Sequence, residues 1–226
     1  YAADLIVEAP YVAPGVVDVS GNWDGAYVGV FGGYVWGAVD HVGPLEFSPF
    51  ESLGGADLDV AGWQLGVKAG ADFTVGSGVV VGIVGDVAWG NASVSQEYDD
   101  DDLVDYAGDE AEVGYDIDWM ASLRGRIGID AGTFLPYLTA GLAVAHMNHD
   151  FYYDGPVFFD TSSENTHIGW TVGAGVEVAV ADNMSLNLEY RYSDFGEETY
   201  DHGAGDFNPV LGLTTHAVTA GLNFRF

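Results

Sequence analysis

Apolar and polar side chains alternate with period two along much of this chain, most regularly in its last nine residues. Val218, Ala220, Leu222, Phe224 and Phe226 share one face, and Thr219, Gly221, Asn223 and Arg225 share the other. Between residues 168 and 180 the same pattern sets Ile168, Trp170, Val172, Ala174, Val176, Val178 and Val180 against Gly169, Thr171, Gly173, Gly175, Glu177 and Ala179. Successive side chains fall on opposite faces only in a β-strand, so each run predicts a strand with one apolar face. Three further runs are as clear: Trp63 to Phe73, Val79 to Trp89 and Trp119 to Ile129. Leu186 to Tyr192 alternates over a shorter stretch. The segments Ala26–Ala38 and Leu138–Val144 are rich in glycine and apolar on both faces, and they bring the count to eight.

The connections alternate in length. Gly76-Ser77-Gly78, the stretch around Ala131-Gly132-Thr133, and Ala181-Asp182-Asn183 read as tight turns. The other four, roughly residues 40–60, 91–116, 147–166 and 195–213, are long and polar. Short turns at one end and long loops at the other are the layout of an outer-membrane barrel, with turns periplasmic and loops extracellular. In that topology Trp36, Trp63, Trp89, Trp119 and Trp170 share one level at the extracellular boundary, all on the outward parity, while Phe73, Phe224 and Phe226 mark the periplasmic one. These are two aromatic girdles, where amphipathic rings settle at a lipid–water boundary. A water-soluble barrel or sandwich with core tryptophans has no reason to place five of them at one level. The fold expected is therefore an all-β, eight-stranded antiparallel transmembrane β-barrel over residues 23–226. Residues 1–22, broken by Pro10, Pro14 and Gly15, form a periplasmic linker.

Composition narrows the function. With 35 Asp and Glu against 5 Lys and Arg, the net charge of −30 excludes a nucleic-acid surface. There is no cysteine, hence no disulfide or thiolate–metal site. The longest apolar runs fall far short of the ~18 residues of a transmembrane helix, whereas a tilted strand spans with ~9–11.

Parity also sorts the charges. All five cations, Lys68, Arg124, Arg126, Arg191 and Arg225, point inward, as do Asp72, Asp86, Glu177 and Glu189. Eight strands enclose a lumen only wide enough to be filled by side chains. Those nine residues are expected to form a buried network in which the acids neutralise every cation, a structural plug rather than the constriction of a channel. Of the 35 acids, 24 lie in or beside the four long connections, and Asp99-Asp100-Asp101-Asp102 is the densest run. One expectation is a solvated, repulsive coat; the other is a Ca²⁺ or Mg²⁺ site at those four aspartates, carboxylates being the hard oxygen donors such ions take.

Trp23-Asp24-Gly25-Ala26-Tyr27-Val28-Gly29, Arg124-Gly125-Arg126-Ile127-Gly128, the Gly169–Glu177 run, Glu189-Tyr190-Arg191-Tyr192-Ser193-Asp194-Phe195-Gly196 and the terminal Leu222-Asn223-Phe224-Arg225-Phe226 together carry a family likeness. They resemble the small porin-family outer-membrane proteins of alphaproteobacteria, including the major barrel antigens of brucellae and rhizobia, within the wider class of OmpA-like eight-stranded barrels. The resemblance implies an abundant protein of the outer membrane that supports envelope integrity, sometimes described as a porin. A strand ending in Phe also looks like the signal read by the barrel assembly machinery. Some such relatives begin Ala-Asp and are joined to peptidoglycan there; Ala3-Asp4 matches those two residues. The segment Tyr1-Ala2-Ala3-Asp4 also fits the end of a signal-peptide cleavage site.

Enzymes exist on this scaffold, some with a His and a Ser near the membrane boundary. Here His41, His146, His149, His167, His202 and His216 give no nucleophile–base–orienter set, and no enzyme is expected. His146 and His149 form a weak metal pairing, and His216 faces lipid near the extracellular rim. The function expected is a structural and surface protein whose acidic loops meet lipopolysaccharide, cations or partners, a second copy of the chain among them. The alternative is a narrow porin for small solutes.

Overall fold

The computed structural model describes residues 22–41, 58–98, 110–154, 159–199 and 210–226. They form β1 (Gly25–His41), β2 (Leu58–Val75), β3 (Val79–Tyr98), β4 (Glu110–Ile129), β5 (Phe134–Asp154), β6 (Phe159–Ala181), β7 (Met184–Thr199) and β8 (Val210–Arg225). Each pairs antiparallel with its sequence neighbours, and β1 pairs with β8, which closes the sheet into a barrel. Closure leaves no open edge, a necessity in hydrocarbon, where an unpaired backbone amide has no water to turn to.

The short turns are glycine-dependent. Gly76 and Gly78 bracket the β2–β3 turn with φ of 63° and 84°, and Gly132 has φ 78° between β4 and β5. Side chains with a β-carbon rarely adopt that left-handed region.

Outward residues are apolar and uncovered. Leu65, Leu142 and Ile168 are 68%, 63% and 66% exposed, with Val30, Val67, Ile83, Leu123, Ile127, Leu138 and Leu188 around them in the same band. So much uncovered aliphatic surface is what acyl chains cover on a transmembrane barrel.

The strands run further than the alternation predicts. β3 and β4 pair out to Tyr98↔Ala111, and β5 and β6 pair from Phe134↔Val178 to Tyr153↔Phe159, well into segments expected as loop. Strands of 16 to 23 residues exceed a membrane crossing, so the sheet extends past the Trp level. Beyond that level neither face needs to be apolar, and the period-two signal disappears. Register also shifts between Trp89 and Ala92, Ile117 and Trp119, and Asp194 and Glu197. Bulges of this kind break simple counting by parity.

Inside, three large rings each face a glycine directly across the ladder: Tyr27 opposite Gly70, Phe31 opposite Gly66, and Tyr137 opposite Gly175. A β-carbon added at Gly70 or Gly175 would stand 2.6 Å from the ring carbon of Tyr27 or Tyr137. The missing side chain is the space the ring occupies, which is how a narrow lumen takes aromatic side chains. Gly70→Val and Gly175→Val should each lower stability by about 1–3 kcal/mol through overpacking. Gly125→Ala, whose added carbon would meet only a carbonyl oxygen at 3.8 Å on the outward face, should be near neutral. A urea titration of the gel-mobility difference between folded and boiled protein reads both; equal midpoints for all three variants would contradict the packing.

Candidate functional site

The lumen is built in four levels. At the periplasmic end Trp23, Val80, Leu135 and Ala179 form a small buried apolar cluster. The Trp23 indole donates to Asp130 Oδ1 at 3.2 Å, beside the β4–β5 turn.

Above it lies a ring of four charges, one from each even-numbered strand: Asp72 on β2, Arg126 on β4, Glu177 on β6 and Arg225 on β8. Arg126 bridges the two acids, reaching Asp72 Oδ2 at 2.9 Å with one amino group and Glu177 with the other. Arg225 donates to Asp72 Oδ2 at 2.9 Å and lies 3.7 Å from Glu177 Oε1. Ser185 and Asn223 donate to Glu177 as well. The two guanidinium groups lie over the Tyr137 and Tyr27 rings, 4.0 and 4.9 Å from the centroids.

The third level repeats the stoichiometry. Arg124 reaches Asp86 Oδ2 at 2.6 Å and Glu189 Oε1 at 2.7 Å, and Arg191 reaches Asp86 Oδ1 at 2.9 Å and Glu189 Oε1 at 3.0 Å. Ser122 donates to Asp86, and Arg124 donates to Ser122 and Thr139. Arg124 and Glu177 are almost fully buried, and Asp72 has no exposed surface.

Each quartet holds two cations and two anions, so its formal charge is zero. Buried charges are tolerable only when paired and hydrogen-bonded in this way. The pairing corrects one expectation. Among the described residues no carboxylate is at ion-pair distance from Lys68: its ammonium donates to Asn187 Oδ1 at 2.7 Å and lies 5.7 Å from the Phe31 ring centroid. Its cross-strand neighbour is Asp86, but that carboxylate is taken by Arg124 and Arg191. Arg forks hold an acid at two points, and a single ammonium does not displace them.

The fourth level is apolar. Val35, Val60, Ala92, Ile117, Ala143, Ala145, Met147, Phe195, Leu213 and Ala217 form one buried cluster across the extracellular part of the lumen. The sequence offered no sign of it, since its members come from seven strands and several lie past a bulge. His167 is buried and inward.

On the outer face Trp36, Trp63, Trp89 and Trp170 are exposed, and Trp119 is half-buried on the same parity. Trp89 and Trp119 are direct cross-strand partners. Trp63, Tyr34, Trp36, His216, Tyr192 and Trp170 follow one another as neighbouring rings across five strands, with centroids 5.1 to 6.3 Å apart. Phe73, Phe224 and Phe226 are exposed at the other boundary. The proposed cation site at Asp99 to Asp102, and Ala3 and Asp4, lie outside the described residues.

The quartets generate a ranked test. Arg124→Ala leaves Asp86 and Glu189 buried with one cation between them, a loss of about 3–5 kcal/mol. Lys68→Met removes a hydrogen bond to a neutral amide and should lose only about 1 kcal/mol. Asp100→Ala should change little. Measured by the same urea titration, a Lys68→Met loss as large as that of Arg124→Ala would mean that the quartets do not carry the lumen's electrostatics.

Residues 10–226 match the family described as outer membrane protein beta-barrel domain. Among curated proteins, the chain is 34% identical to a 22 kDa outer membrane protein of Rhizobium leguminosarum bv. viciae, over 93% of this chain and 81% of that one. It is 32% identical to a 25 kDa outer-membrane immunogenic protein of Brucella melitensis, over 100% and 90%. It is also 29% identical to the 31 kDa outer-membrane immunogenic protein of that species, over 100% and 92%. Among solved structures, Neisserial surface protein A aligns over 89% of this chain and 97% of its own, at 17% identity and a TM-score of 0.47. A closed eight-stranded sheet, a lipid-facing apolar band and a family match over nearly the whole length agree: the chain belongs to the outer-membrane β-barrel family and is a protein of the Gram-negative outer membrane.

Proposed function

We propose that this chain is a structural and surface protein of the outer membrane, which supports envelope integrity and presents an acidic face to the outside. The observation that carries the reading is the filled lumen. Two neutral charge quartets occupy its middle, and apolar clusters lie beneath and above them. An ion moving through would have to break paired charges and then pass an apolar level, where water itself is unfavourable. Relatives named as outer-membrane and immunogenic proteins are in keeping with a surface component of that membrane.

The acidic connections extend the proposal. Lipopolysaccharide is anionic, and 24 carboxylates in or beside one set of loops would be repelled by it. Divalent cations bridging loop carboxylates to lipid phosphates, or to a second copy, would remove that repulsion, with Asp99 to Asp102 the first place to look.

Two measurements test this. In a planar bilayer the folded protein should give at most rare, small openings; steady conductance with cation preference would establish the narrow pore instead. In lipopolysaccharide-containing bilayers, Ca²⁺ or Mg²⁺ should raise the thermal midpoint well beyond NaCl of equal ionic strength, reversibly on chelation. Equal effects would reduce the loops to a screened, repulsive coat.

A further inference from the structure

All five Lys and Arg residues of the chain are spent inside the barrel, four in the quartets and Lys68 between Asn187 and Phe31. No guanidinium or ammonium side chain is left to face the phosphates of the outer leaflet. Histidine is the remaining side chain that can carry positive charge. His167 is buried inside, and the side chains of His41, His149 and His202 lie outside the described residues. His146 and His216 face outward.

Their placement is matched. His216 on β8 is the direct cross-strand partner of Trp36 on β1, and His146 on β5 is that of Trp119 on β4. In each pair the rings stack nearly parallel with centroids 5.7 Å apart, at 13° for Trp36–His216 and 16° for Trp119–His146. The two seams lie four strands apart in an eight-stranded barrel, on opposite sides, and both sit at the extracellular aromatic girdle.

We propose that these two Trp–His pairs are docking sites for the phosphate of an anionic outer-leaflet lipid, engaged through the imidazolium form. The proposal rests on the outer-membrane orientation and is independent of whether the lumen conducts. Three observations support it. The indole boundary is the depth at which headgroup phosphates lie. A flat indole face is attractive to a cation stacked on it and fixes the imidazole plane. In His216, Nδ1 is 2.7 Å from the Tyr190 hydroxyl, so Nε2 is the nitrogen that would meet a phosphate.

The surroundings of the two pairs differ. Around His216, β1 contributes Trp36 and β7 contributes the Tyr190 and Tyr192 phenols. The next outward acid, Asp194 on β7, is two residues beyond Tyr192 and accepts from the Gly196 amide. Around His146, β6 contributes Thr166, whose Oγ1 is 3.2 Å from Nδ1, and places Glu164 at the register position opposite Asn148. The exposed Asp118 sits in the β4 bulge next to Trp119. His216 is therefore the better anion site of the two, since the seam around it carries aromatic rings where that of His146 carries a carboxylate.

The imidazolium and the neutral ring differ by one unit of charge, so lipid selectivity is read against pH, from 8 to 5.5. The experiment uses the folded chain in vesicles of phosphatidylcholine with brominated phosphatidylglycerol or brominated phosphatidylcholine as quencher. Both lipids keep a constant charge over that range, and five of the six tryptophans lie in the girdle. Preference for phosphatidylglycerol should rise about three-fold or more from pH 8 to 5.5. It should stay flat in His146→Gln/His216→Gln, and His216→Gln alone should remove most of the rise. Heat-modifiability on a gel checks that the variants are folded. Wild-type preference that does not change with pH overturns the proposal without any variant. A rise that persists undiminished in the double variant overturns it as well, and assigns the effect to loop carboxylates.

Discussion

Everything in this molecule depends on the ladder between β1 and β8. In hydrocarbon an unpaired backbone amide or carbonyl has no alternative partner, so the first and last strands must meet, and they do over fifteen register positions from Tyr27↔Arg225 to His41↔Leu211. Closure divides the side chains into two populations with opposite requirements. One must dissolve in lipid, which explains uncovered leucines, valines and isoleucines. The other must fill a tube too narrow for bulk water. Polarity is thus inverted relative to a soluble protein: the aliphatic residues form the surface, and the arginines form much of the core.

An arginine core is stable only if its charges are resolved locally. The sheet does so by geometry. Residues from alternate strands come to one level, so Asp72, Arg126, Glu177 and Arg225 meet although they are separated by about 50 residues each along the chain. Ser122 donates to Asp86, and Ser185 and Asn223 donate to Glu177, carboxylates that each touch two cations, while Thr139 accepts from Arg124. Glycines opposite Tyr27, Phe31 and Tyr137 leave room for rings that in turn lie against the guanidinium groups or, for Phe31, near Lys68.

Much of this is legible in the sequence because lipid imposes a simple rule. Wherever a strand crosses hydrocarbon, every second residue must be apolar; this marks the strands, their number and the inward parity of Arg124, Arg126 and Glu177. The tryptophan level follows from the same topology. Legibility ends where the rule stops applying. Past the girdle both faces of the strands are free of lipid, so the extensions of β3 to Tyr98 and β5 to Asp154 carry no alternation. The bulges at Trp89/Ala92 and Ile117/Trp119 then shift the count, which hid the apolar cluster around Ile117 and Met147. Parity also says which charges are inside but not which ones meet. Lys68 stands across from Asp86 on the sheet, yet that carboxylate is held by Arg124 and Arg191.

The even-strand quartet has a consequence for the order of assembly. Its four members enter on β2, β4, β6 and β8, and the last, Arg225, is the penultimate residue of the chain. A sheet of seven strands holds Asp72 and Glu177 with Arg126 alone, one negative charge in excess at that level. No hairpin contains a complete set. Only the arrival of the terminal strand supplies both the missing backbone partners of β1 and the missing cation. Neutrality of this quartet and ring closure are therefore reached in one event, and a partly inserted sheet lacks both for want of the same strand.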